Sequence, residues 1–318
     1  MKSDSLLVPR RQFGRIVVDE LANHTRGDVQ VVLSPQRLEG TAAFQASHFN
    51  ALTEAQVSKE NTPQLIDHQV QGIPAVPGVL VMEWFLKNAQ QVAGPRGLLR
   101  CRDFQQLQGI SIPDFGQGSV PFSIVMDSMS SFQSGGQSSM RLLDADGQLR
   151  YAGVLEKVTN VQALGLTEAP ELELERTAWT ESHVYGPGAL FHGPAFQVIH
   201  RVEGVSPQGA LGRLLQPERR RVARRWLPLS SCDDRWGDSA RLCVGLFTQD
   251  SEFLVTSIGE FVQAPNANYN QALRCVLEGF DSSPEHLRLN AYLETDSRET
   301  LAVMRNIECH PTGQRSQS

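Results

Sequence analysis

The segment that most restricts the fold of this chain is residues 79–86, which are apolar at every position except Glu83. They open a helix-length block that runs to residue 92. A helix that is apolar all round is enclosed on every side rather than laid on a surface. Strand-like pieces follow at residues 119–126, at 140–143 and at Leu149–Val158. Between the last two, Asp144-Ala145-Asp146-Gly147 is a hairpin turn signal. One helix followed by a run of strands predicts an α+β fold, an antiparallel sheet with its helices on one face. Upstream, Val29-Gln30-Val31-Val32-Leu33 is rich in β-branched residues and bounded by turn residues, and reads as a strand. Ile16-Val17-Val18 is too short to assign.

A chain of 318 residues suits two halves of about 150 residues each. With 40% hydrophobic and 20% charged residues, each half can bury its own core. The acidic, proline-bearing segment 165–176 reads as a linker, which gives an N-terminal domain at 1–164 and a C-terminal domain at 177–318. The second half repeats the first in outline. A helix is expected at 230–247, then strands at 253–262, 273–277, 287–293 and 301–309. Two halves of this kind are what a tandem duplication leaves.

A net charge of −6 argues against a nucleic-acid partner, because no excess of cations faces the phosphates. No run of about 18 apolar residues is present to span a membrane, and the first residues lack the apolar core of a signal peptide. The five cysteines, at 101, 232, 243, 275 and 309, are scattered and form no CxxC pair. They read as reduced thiols of a cytoplasmic protein, not as a disulfide framework or a zinc site. No glycine-rich phosphate loop points to a nucleotide.

The chemistry-bearing segment is Leu65-Ile66-Asp67-His68-Gln69-Val70-Gln71-Gly72-Ile73-Pro74-Ala75-Val76-Pro77-Gly78-Val79. His68 stands in a turn-rich stretch whose Gly72, Pro74, Pro77 and Gly78 restrict the backbone and so give a loop side chain a defined place. Pro77 suits the first turn of the following helix. The N–H groups of that turn can receive an oxyanion or a thioester carbonyl. A histidine, a helix N-terminus and an apolar tunnel together suit abstraction of a proton next to a thioester. The competing reading is a loop histidine with a satisfied hydrogen bond.

His68, Gly72 and Pro77 fit an HxxxGxxxxP signature, and Asp67 and the run from Gly78 to Trp84 extend the match. In this the chain resembles the dehydratase domains of polyketide and polyunsaturated-fatty-acid synthases. The resemblance implies a double hotdog, two antiparallel sheets each wrapping a central helix. Two more pieces are similar to the same family. Leu190-Phe191-His192-Gly193-Pro194-Ala195-Phe196-Gln197 resembles a YGPxFQ-type motif, with His192 at the usual tyrosine. Phe253-Leu254-Val255-Thr256-Ser257-Ile258-Gly259 resembles an LPxSIG-type strand.

The family's catalytic acid opens the second helix in a pattern near HPxLLDxxxQ. Here Leu227-Pro228-Leu229-Ser230-Ser231-Cys232-Asp233-Asp234-Arg235-Trp236 departs from it: strict spacing puts Cys232 at the acid and Trp236 at the glutamine. Asp234 lies six residues after Pro228, as Glu83 lies six after Pro77. A duplication therefore favours Asp234, with Asp233 beside it. Either could instead sit in a first helical turn, where an acid is favoured. Glu83 matches the acid of stand-alone hotdog dehydratases but is usually not catalytic in the fused domains.

The resemblance implies dehydration of a β-hydroxyacyl thioester, with His68 as base and Asp234 or Asp233 as acid. Gly72, Pro77, Gly78, Val79, Glu83, His192, Gly193 and Pro194 are the expected substrate-binding residues. No metal or redox cofactor is required, and the resemblance implies that the substrate arrives on the phosphopantetheine of an acyl carrier protein. Other synthase domains are the further expected partners, the family admits a homodimer, and the chain reads as a piece of a larger synthase. The arginine-rich run 219–225 could dock an acidic carrier or be a solvated cationic face. A cyclase like the product-template domains, a double-bond isomerase, and an inactive structural domain remain as alternatives.

Overall fold

The computed structural model describes residues 50–94, 97–185, 190, 192–214, 253–265, 267–269, 271–283 and 286–311. All of them belong to one compact unit, Phe49–Ser318. The expected strand at 29–33, the helix expected at 230–247, the arginine run 219–225 and the acids Asp233 and Asp234 lie outside the described residues.

In chain order, β1 (Asn50–Val57) is followed by a 3-10 turn at Pro63–Asp67 and a short hairpin of β2 (Gln69–Val70) and β3 (Ile73–Val76). The hairpin leads into α1 (Gly78–Ala93). Next come β4 (Leu98–Gln106), β5 (Ile110–Ser111), β6 (Val120–Met126), α2 (Met129–Gln133), β7 (Gln137–Leu143), β8 (Leu149–Val158) and α3 (Val161–Leu164). The remainder is β9 (Glu175–Thr180), α4 (Glu181–Val184), a 3-10 turn at Pro194–Phe196, β10 (Ile199–Ser206), β11 (Gly209–Leu214), β12 (Phe253–Gln263), β13 (Leu273–Ser283), β14 (His286–Thr295) and β15 (Thr300–Pro311).

α1 is buried as its composition requires, through Leu80, Val81, Met82, Glu83, Phe85, Asn88 and Ala89. Phe85 meets Phe104 of β4 edge-on, and Phe104 stacks on Tyr151 of β8 at 5.7 Å. β7 and β8 bury alternate residues, among them Met140, Leu142, Tyr151 and Leu155, as a sheet covered on one face by a helix must. The Asp144 turn closes as expected: its Oδ1 accepts the N–H groups of Asp146 and Gln148.

The expectation of two separate sheets needs correction. Twelve strands form one antiparallel sheet in the order β1-β6-β7-β8-β4-β12-β15-β14-β13-β11-β10-β9, beside a three-stranded β2-β3-β5 sheet. The joint is β4 on β12, with Cys101 opposite Phe261 and Gln105 opposite Ser257. Unpaired strand edges are costly, and this pairing satisfies an edge of each half with the other. Cys101, Phe104, Ile258 and Phe261 are buried at the joint, and burial pushes the Cys101 thiol up to about 12. Nearby, Arg100 reaches Glu156 and Glu260, and Glu260 also pairs with Arg305. That chain of charges crosses β8, β4, β12 and β15. The one long helix among the described residues is α1.

Between α3 and β9 the chain has no regular structure, but it is not detached. Ala169, with Leu166 and Leu172, packs on Val262, Val276, Tyr292 and Val303. No helix among the described residues is long and apolar enough to cross a membrane.

If the joint holds the sheet together, truncating its buried aromatic is costly. Phe261→Ala is expected to lose about 3–5 kcal/mol, against less than about 0.5 kcal/mol for Leu107→Ala at an exposed position. Denaturant melts of the two variants check this.

Candidate active site

The β2–β3 hairpin explains the spacing of the histidine motif. Gln71 and Gly72 occupy its two-residue turn with φ of 53° and 78°, the left-handed pair that such a hairpin needs and that glycine adopts without strain. The turn folds the chain back so that Ala75 lies beside His68. The Ala75 N–H donates to the His68 carbonyl at 2.9 Å, and His68 Nδ1 lies 2.7 Å from the Ala75 carbonyl oxygen. A carbonyl only accepts, so Nδ1 carries the proton and the lone pair of the neutral ring is on Nε2. Two residues beyond Ala75, Pro77 caps the N-terminus of α1 in extended conformation, one position ahead of the first turn it was expected to occupy.

His68 is 1% exposed. Its ring packs on two groups of the second half, His192 at 5.5 Å and Phe196 at 5.4 Å between centroids. His192 is buried as well, and its carbonyl accepts from the Gln197 side chain at 2.8 Å. Asp67 brings these pieces together. Its backbone carbonyl accepts the Gly193 N–H at 2.7 Å, and its carboxylate accepts the Ala195 N–H at 2.9 Å. At Gly193 a Cβ would lie 2.7 Å from the Asp67 Cγ, so only glycine lets the two strands of chain approach this closely.

A narrow cavity of about 20 Å³ lies at the start of α1, lined by Pro77, Gly78, Val79, Phe104, Gln106, Tyr151, Val255, Thr256, Ser257 and Ile258. The Tyr151 hydroxyl donates to Gln106 Oε1 at 3.0 Å, which fixes a polar pair on a mostly apolar wall. His68 is not part of this wall; it adjoins it through the segment Ala75 to Pro77. The helix N-terminus and the Phe253–Gln263 strand, read from the sequence as separate motifs, thus face one cavity.

Of the expected site residues, His68, His192 and Gly193 come together, and Pro77, Gly78 and Val79 line the cavity. Gly72 is exposed at the hairpin turn and serves the backbone, and Pro194 is exposed at the start of its 3-10 turn. Glu83 is 1% exposed, one turn deeper in α1 than Val79. Burial raises its carboxyl above the ordinary range, and Lys87, with Nζ at 3.1 Å, opposes that shift. Sequence reasoning missed Ala75, Tyr151, Gln106 and the tie made by Asp67. A carboxylate directly before the histidine was the available signal for the last.

No family model matches the chain, and no curated protein matches it. Solved structures do. The dehydratase domain from the CurF module of curacin polyketide synthase superposes with a TM-score of 0.66 at 15% identity, over 81% of this chain and 92% of that one. A trans-AT polyketide synthase dehydratase domain from Brevibacillus brevis gives 0.64 at 15% identity, over 81% and 92%. The D1169N mutant of the CurK dehydratase, described as inactive, gives 0.64 at 14% identity, over 82% and 93%. An H996F mutant of the same dehydratase is also described as inactive. The chain therefore has the fold of polyketide synthase dehydratase domains.

Two measurements test this geometry. Asp67→Ala leaves the half-buried Ala195 N–H without its acceptor and is expected to cost about 1–3 kcal/mol, read by thermal unfolding. For Glu83 the folded carboxyl holds its proton more tightly than the unfolded one. Its contribution to stability is complete below about 4.5 and is lost as pH rises through the raised folded value. Glu83→Gln is expected to flatten that fall in a series of melts across pH.

Proposed function

We propose that the chain dehydrates β-hydroxyacyl thioesters carried on the phosphopantetheine of an acyl carrier protein, within a polyketide or fatty-acid synthase. The observation that carries this reading is the buried His68 ring, whose Nδ1 is committed to the Ala75 carbonyl. That leaves Nε2 of the neutral imidazole as the base. In the proposed step Nε2 takes the α-proton while an acid of the second half, Asp234 or Asp233, gives its proton to the departing β-hydroxyl. The α-carbon electron pair forms the new double bond, and water leaves.

The first-turn N–H groups of α1, at Gly78 and Val79, have no acceptor within their own helix. In this mechanism they steady the enolate oxygen of the thioester. The apolar wall of Phe104, Val255 and Ile258 keeps water from the carbanion. The fold shared with dehydratases supports the reading, as does the loss of activity described for the CurK histidine and aspartate mutants. Carrier protein and neighbouring synthase domains are the proposed partners, and docking of the carrier belongs to the arginine run 219–225.

The test is an assay of the purified chain with β-hydroxyacyl-pantetheine thioesters. Enoyl product is expected, with a kcat reduced about 10²–10⁴-fold in His68→Ala. Asp234→Asn and Asp233→Asn identify the acid by which of them shows a comparable loss. Alkenes that only shift position would replace dehydration by isomerisation. Binding without turnover would leave a structural domain.

A further inference from the structure

Away from the cavity, the strands β14 and β15 carry a second group of chemically able side chains. Leu287 of β14 is opposite Cys309 of β15, and Arg288 is opposite Glu308, so His286 falls opposite His310. Side chains alternate along a strand. Leu287 and Cys309 point inward and are fully buried, and His286, Glu308 and His310 share the other face. The two rings lie 5.1 Å apart between centroids, and the ligand atoms of all three residues lie within 4.8 Å of one another.

We propose that His286, Glu308 and His310 form a binding site for a zinc-like divalent cation on the outer face of the sheet. Two imidazoles and one carboxylate are a donor set suited to zinc, with the fourth position left to water. A tetrahedral ion at about 2.0–2.1 Å from its ligands holds them about 3.4 Å apart. Side-chain rotation at the half-exposed His286 and Glu308 and the exposed His310 closes the difference without moving the strands. A further contact orients the carboxylate: the Ser257 hydroxyl of β12 donates to Glu308 Oε2 at 3.1 Å. Hydrogen bonds of this kind position metal ligands. Arg288 Nε stands 3.8 Å from Glu308 Oε1 and competes with the cation, which weakens the site and makes its occupancy depend on metal concentration.

The Ser257 bond also connects the site to the cavity. Ser257 lines the cavity wall, so an ion on Glu308 would sit one hydrogen bond from it.

The experiment is titration of the full chain with zinc chloride by calorimetry, and with cobalt(II) by visible absorption, which reports a tetrahedral site. One saturable equivalent is expected, weakened at least about tenfold in His286→Ala and in His310→Ala. Ser257→Ala is expected to weaken it about tenfold, and His200→Ala, on the distant strand β10, to leave it unchanged. Circular dichroism of each variant reports that it is folded. Binding that persists unchanged in the His286→Ala/His310→Ala double variant overturns the proposal, as does the absence of any saturable equivalent in the parent chain.

Discussion

The pairing of β4 with β12 is the interaction on which the rest of the structure depends. Each strand would otherwise be an open edge, with a row of unsatisfied N–H and C=O groups. Together they make one sheet, and the consequences are local and chemical. Phe104 and Ile258 become neighbours across the joint, and both line the cavity at the start of α1. The wall is therefore a product of sheet assembly, with the first half supplying the helix and the second half the facing strand. Arg100 and Glu260 link the two strands by charge, but the geometry is set by the backbone ladder and the apolar residues beneath it.

A second tie acts where the chemistry is concentrated. Asp67 spends both its carbonyl and its carboxylate on the backbone of Gly193 and Ala195. The histidine that follows it is then placed without any freedom of its own: the hairpin aligns its ring on Ala75, and the tie presses that ring on His192 and Phe196. Spacing in the motif is thus a statement about a hairpin. His68 stands at its entrance, Gly72 in its turn and Pro77 at its exit, where α1 begins. A residue inserted between His68 and Ala75 changes which carbonyl meets Nδ1.

The long apolar helix, the Asp144 turn and the strands β8, β12, β14 and β15 were legible in the sequence, because each shows a strong apolar pattern or an explicit turn residue. β4 was not. Its Arg100, Arg102, Asp103, Gln105 and Gln106 make it look like a loop, and they are tolerated because Arg100 finds partners on the adjacent strands. β10 and β11 were hidden by glycines at 204, 209 and 212, of which Gly204 and Gly209 permit close packing of neighbouring chain. Which residues would surround the histidine was partly legible: the motif around His192 pointed to the second half, which both the His68 ring and Asp67 contact, and the carboxylate directly before His68 was the one local sign of the tie. The joining of two half-sheets has no sequence signal at all, since edge pairing is made by backbone groups that every residue carries.

Two carboxylates close in sequence to the start of α1, Asp67 and Glu83, illustrate why position and burial alone do not define a catalytic acid. Asp67 is spent on a backbone donor of the second half, and its role there is to hold two pieces of chain together. Glu83 has the raised affinity for a proton that an acid needs, and burial is its cause. Yet its partner is the Lys87 ammonium, one turn further along α1, and that cation favours the ionised form. Lys87 stands on the C-terminal side of Glu83 in α1, while His68 is held by Ala75, ahead of the start of the helix. In the proposed dehydration the acid that cooperates with His68 comes from the second half, whose His192 and Phe196 meet the ring. The physical requirement of the proposed step is a carboxyl group facing Nε2 across the substrate.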